Sequence, residues 1–163
     1  MARARRRRPV TTRSVDRRGR GIRGSVFPPD APARRSRAEK FDLVVLDAFA
    51  PIDALWRERL TKLDIAVDDV PKIHALDPDS VNWPVEVVAD GPVPLSRLIP
   101  AGVDRHGATT RARIVLFRRP LEQRAKGADK LTDLVHDVLV QQVSTYLEVE
   151  PEVIDPDMPS DEE

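Results

Sequence analysis

The chain has no cysteine, a single tyrosine, two tryptophans and only three histidines among its 163 residues. Without thiols, disulfides, thiolate zinc sites and cysteine nucleophiles are all excluded. Aromatic residues make up 4% of the sequence, so any core must be built from aliphatic side chains. No apolar run approaches the roughly 18 to 20 residues that a membrane-spanning helix needs. The basic N-terminus is not followed by the apolar stretch of a secretory signal. These absences lead to the expectation of a cytoplasmic protein with no membrane contact.

Charge and proline are what the sequence has in quantity, at 33% charged residues and 15 prolines. A net charge of zero conceals a strong segregation. Residues 1–40 carry 14 Lys and Arg against 3 Asp and Glu, whereas residues 41–163 carry 13 against 24. From Glu148 to Glu163 there are 8 acidic residues and no basic one. Three regions are expected: a disordered Arg-rich arm (1–25), a folded domain (26–150) and a disordered acidic tail (151–163). The arm, with Arg3, Arg5, Arg6, Arg7 and Arg8, has too few apolar side chains to offset the entropy of ordering. It suits non-specific contact with polyanions, an interaction that weakens with salt. No aromatic residue lies among its first 26 positions, so stacking platforms for single strands are missing.

Within the domain, Phe41, Val44, Val45, Ala48, Phe49, Ile52, Leu55, Trp56 and Leu60 recur at steps of three and four, predicting a helix from Arg37 to Leu60. Pro51 should kink or split it. Leu63–Asp68 alternates like a strand, closed by Asp69-Val70-Pro71. Residues 71–110 are broken by prolines and glycines, with short strands expected at Trp83–Val88 and Val93–Ile99. Arg111–Arg118 reads as a strand, and Pro120 opens a short helix ended near Gly127. Asp129 begins a last helix whose apolar stripe is Leu131, Leu134, Val135, Val138, Leu139, Gln142, Val143 and Tyr146. Asp129 or Thr132 is expected to cap it, and Pro151 to mark the end of regular structure. Trp56 reads as a core residue, and Trp83 as either a loop anchor or an exposed contact. Arg111, Arg113, Arg118 and Arg119 are candidates for a basic rim, although solvated strand ends explain them equally well.

The order and spacing of Arg20-Gly21-Ile22-Arg23-Gly24, Pro28-Pro29, the helix from Phe41, Ile65–Pro71 and Arg113–Glu122 resembles the minimal zincin-like metallopeptidases, in their actinobacterial branch. The resemblance implies an α+β fold, with a few-stranded sheet packed on a long N-terminal helix and a C-terminal motif helix. It also implies zinc, held by H-E-x-x-H-x-x-G-x-x-D, in which two histidines on one helix face bind the metal and the glutamate is the general base. Placed on the last helix without gaps, the ligands fall at Gln141, Thr145 and Pro151, the base at Gln142 and the glycine at Glu148. A neutral amide or hydroxyl is a poor zinc ligand beside imidazole or carboxylate. An amide also has no proton to exchange near neutral pH, so it cannot serve as general base.

A register starting at His136 fails as well, because Val140 would be its second ligand. Asp133, His136 and Asp137 are helical neighbours that could hold a metal outside the motif. The plainer reading is a solvent-facing histidine flanked by carboxylates. His74 and His106 lie in irregular segments that nothing in the sequence places near this helix, and Ser144 has no histidine in helical reach. The expectation is a family member without zinc, catalytic residues or another cofactor, acting through an unidentified protein partner. The alternatives are an active zinc peptidase with an atypical site and a polyanion-binding accessory protein working through the arm.

Overall fold

The computed structural model describes residues 35–73 and 82–158. The arginines of the arm, the glycine-rich and Pro28-Pro29 segments and His74 therefore lie outside the described residues. The unit from Ser36 onward is an α+β domain.

Helix α1 spans Arg37–Trp56 and continues into a 3-10 turn at Arg57–Arg59. Its start is fixed by a reciprocal cap. The Glu39 amide donates to Ser36 Oγ at 3.2 Å, and the Ser36 amide donates to Glu39 Oε2 at 2.7 Å. Phe41, Val45, Ala48 and Ile52 are buried along one stripe. Pro51 is accommodated inside the helix without splitting it, on the exposed side.

Four strands form one sheet in the order β1-β6-β3-β2. They are β1 (Leu63–Asp68), β2 (Val87–Asp90), β3 (Val93–Ile99) and β6 (Ala112–Phe117). Strand β1 runs parallel to β6, while β3 is antiparallel to both β6 and β2. Central β6 is buried at five of six positions, which explains its nearly continuous apolar run. The β2–β3 hairpin turns at Gly91-Pro92, where Gly91 takes φ +56° without a Cβ penalty. A separate two-stranded ribbon pairs β4 (Gly102–Val103) with β5 (Thr109–Thr110). The expected strand at Trp83–Val88 is displaced: only Val87 and Val88 are in β2. Trp83 instead donates its indole N–H to the Gly91 carbonyl at 2.9 Å, anchoring the hairpin turn.

Helix α2 (Arg118–Arg124) follows β6 directly, and α3 (Ala128–Leu147) is the second long helix. Residues Val135, Val138, Leu139, Val140, Gln142, Val143 and Ser144 of α3 are buried, joining α1 to the sheet through one core. Neither Asp129 nor Thr132 caps α3. Its N-cap is Gly127 at φ +110°, with no side-chain bond, and the Thr132 hydroxyl donates back to the Ala128 carbonyl. Regular structure also continues past Pro151, which occupies the first turn of α4 (Pro151–Ile154), where its missing N–H costs nothing. Ile154 is buried and Met158 packs against the core, so the acidic segment opens with docked structure.

Candidate functional site

The face of α3 that matters is set by where the helix lies against the sheet. Gln142 is fully buried and turned toward β3. Its Nε2 donates to Ser96 Oγ at 2.6 Å and to the Glu86 carbonyl at 3.2 Å. That same carbonyl accepts the Leu98 amide at 2.7 Å. One amide group thus ties α3 to both sides of the hairpin. The arrangement fixes the orientation of the amide, because only an N–H can face the Glu86 carbonyl oxygen. Gln142 Oε1 is left with no protein partner, a cost the two donated bonds must offset.

Gln141 and Thr145 lie one turn apart, about 40° around the axis, and both are half-buried. The Thr145 hydroxyl donates to the Gln141 carbonyl at 3.0 Å, and the Ser144 hydroxyl donates to the same oxygen at 2.7 Å. Both hydroxyls are therefore engaged by the helix backbone. Ser144 is buried, and no base approaches it among the described residues.

Just beyond, α3 ends at a left-handed residue, Glu148, with φ +56° and ψ +44°. The Val149 amide bonds to the Ser144 carbonyl at 3.0 Å and the Glu148 amide to the Thr145 carbonyl at 3.3 Å, which is the Schellman pattern. Glycine is the residue this conformation favours. Glu148 is the one non-glycine residue with positive φ among the described residues, and it occupies the position where the resemblance puts the family's glycine.

His136 lies less than two turns before Gln142 on α3 and faces α1, not solvent as its acidic helical neighbours predict. Its Nδ1 is 2.9 Å from the Ala48 carbonyl oxygen, and Nε2 is 2.8 Å from Asp155 Oδ2. A carbonyl only accepts, so Nδ1 must carry a proton; a carboxylate facing Nε2 favours a second one. Burial opposes the charge, but the Ala48 and Asp155 bonds outweigh it and raise the His136 pKa. The His136 bond, helped by the Asp157 amide on Oδ1, lowers that of Asp155. Asp137 moves the other way: burial raises its pKa, against the pull of His136. Among the described residues, no group of three His, Asp or Glu side chains comes together in metal-binding geometry.

The basic rim is only partly present. Arg118 is 8% exposed and runs inward, donating to Asp69 Oδ1 at 2.9 Å with Glu122 Oε1 at 3.5 Å. Arg111 pairs with Asp64 at 3.1 Å and also donates to the Thr61 carbonyl. Trp56 packs against the core as expected, with Arg59 stacked 5.6 Å from its ring centroid. His106 is in an exposed turn organised by Asp104. No helix among the described residues is long and apolar enough to cross a membrane.

The family model for zincin-like metallopeptidases matches residues 60–158. That stretch runs from the end of the first helical segment through α4 and takes in the sheet and the whole of α3. No curated protein matches the chain.

Proposed function

This chain belongs to the zincin-like metallopeptidase family, and from that premise we propose that it is a non-catalytic member working as a binding or scaffold protein. The observation that carries the reading is the fate of position 142. Where the family's general base would stand, a buried amide holds the Glu86 carbonyl and Ser96. Such a side chain can neither take a proton from water nor swing toward a substrate without breaking the link between helix and hairpin.

The neighbouring groups do not fit zinc. Gln141 and Thr145 offer a neutral amide oxygen and a hydroxyl already bonded to the backbone, where imidazoles are required. Pro151, at the place of the third ligand, has no donor atom in its side chain. The left-handed Glu148 supports this alignment, since it marks the helix end that a glycine-containing motif would need.

The test is metal analysis of the purified protein together with melting curves in added zinc and in chelator. The expected result is sub-stoichiometric zinc and a melting temperature insensitive to both additions. Stoichiometric zinc with a melting point that rises with the metal would overturn the proposal. The alignment has its own check in a triple variant, Gln141→His with Gln142→Glu and Thr145→His. A folded triple variant should bind zinc weakly, and one that binds none would remove the basis for assigning these positions.

A further inference from the structure

We infer that the cleft where the N-terminal ends of α1 and α3 meet α2 binds an acidic peptide segment. The cleft has a volume of about 1050 Å³ and takes its lining from all three helices. Arg37 and Lys40 stand on the α1 side and Arg119 on the α2 side, all exposed. None of the three makes an ion pair or a side-chain hydrogen bond among the described residues. The one acid in the lining, Glu122, is already engaged by buried Arg118. Three cations from two elements, without a side-chain partner among the described residues, therefore line one space, a local preference for negative charge.

The apolar part of the cleft narrows the class of ligand. Val44 and Leu131, both half-buried, belong to the same lining. A free phosphate would use only the charges and leave this surface wet. A single nucleic acid strand would look for an aromatic platform, but the cleft's one aromatic residue, Phe41, is 1% exposed. A peptide that carries carboxylates beside an apolar side chain meets both demands, charge for the cations and burial for the apolar lining. This inference uses none of the α3 motif positions, so it stands or falls separately from the reading above.

The probe is a fluorescein-labelled peptide in which pairs of glutamates bracket one leucine, titrated by anisotropy with the full chain. Saturable binding is expected. The triple reversal Arg37→Glu, Lys40→Glu, Arg119→Glu should weaken it by at least about tenfold, the combined effect of three screened charge pairs. Circular dichroism should show that variant folded, since all three side chains are exposed. Reversing Arg5, Arg6 and Arg7 in the basic arm should leave the affinity within about threefold, because the inference assigns binding to Arg37, Lys40 and Arg119. Replacing the peptide's leucine by serine should weaken binding, and inorganic pyrophosphate should compete poorly. The inference is overturned by any of four results: no binding by the wild type, equal binding by the cleft variant, loss of binding on reversing the arm, or pyrophosphate competing as well as the unlabelled peptide.

Discussion

Gln142 and His136 lie on the same helix, less than two turns apart, and each crosslinks it to a different neighbour. Gln142 reaches the sheet through Ser96 and Glu86, while His136 reaches α1 and the segment after α4 through Ala48 and Asp155. Both are side chains of the kind active sites use, and both are engaged in bonds that hold the domain together. They differ in charge. The amide link is neutral and fully buried, so it is independent of pH. The imidazole link is favoured as an ion and retains partial solvent access, so it responds to protons. One helix thus has a permanent tie on its sheet side and a titratable one on its α1 side.

Removing the permanent tie should have the largest effect. Gln142→Leu leaves the Ser96 hydroxyl without its amide partner and takes one of two donors from the Glu86 carbonyl. A loss of about 2–4 kcal/mol in urea unfolding is expected for a buried network of this kind. Gln142→Glu sharpens the point because it puts a carboxylate, the residue type of a general base, at the position that the proposed alignment gives to one. An ionised carboxylate there would be buried against the Glu86 carbonyl oxygen, so its pKa would be raised in the folded state. The folded state then binds the extra proton more tightly, and stability falls as pH rises above about 4.3, the ordinary glutamate value. Denaturation at pH 4 and pH 7 should separate the two variants, with the Gln142→Glu protein losing more at the higher pH. Equal losses at both pH values would mean that position 142 is not sealed from solvent.

How much of this is legible in the sequence depends on how far apart the partners are. The stripe Phe41, Val45, Ala48, Ile52 and the run in β6 announce themselves through local period, and the core forms where they point. Gln142 falls on the apolar stripe, so its burial can be read. Its partners, 46 and 56 residues away, cannot. His136 reads as solvent-facing because its two neighbours in the helix, Asp133 and Asp137, are acidic. The groups that capture it are 88 residues upstream and 19 downstream. Arg118 reads as a strand end for the same reason, its Asp69 partner being 49 residues away. Pro151 reads as a terminator, but a proline is equally at home in the first turn of a helix, and only the packing of Ile154 decides between the two.

The titratable tie predicts a pH window. His136→Leu should cost about 1.5–3 kcal/mol near pH 5.5, the range for hydrogen bonds to a charged group. Because the histidine's pKa is raised on folding, its contribution is complete below about 6.5, the ordinary value, and is lost as pH climbs through the folded value. Asp155 sets the acid limit: its lowered pKa makes its contribution present above about 3.9 and lost as pH falls through the folded value. Asp137 faces the same histidine with a raised pKa, so it adds a small opposing slope above about pH 4 that steepens once His136 is gone. The stability difference between wild type and variant should therefore peak between roughly pH 4 and 6.5 and shrink by about pH 8.5. Asp155→Asn should remove most of that pH dependence while retaining a neutral partner for Nε2. A difference that stays flat from about pH 5 to 8.5 would mean that His136 is held neutral, and the contrast with Gln142 would disappear.

The smallest expected effect tests the helix end that these two ties hold in place. Glu148 adopts a left-handed backbone at the cost of a Cβ pressed toward its own carbonyl. Glu148→Gly removes that strain, offset by the greater freedom of glycine in the unfolded chain, for a net gain of about 0.5–1 kcal/mol. In a domain of this size the melting temperature should rise by about 2–4 °C per kcal/mol. Glu148→Ala is the control, because it removes the carboxylate but keeps the Cβ and should give little of the gain. If alanine stabilised as much as glycine, the penalty would come from the acidic charge at a helix C-terminus, where the dipole disfavours it. The backbone would then carry no memory of a glycine, and the placement of the motif on α3 would lose its conformational support.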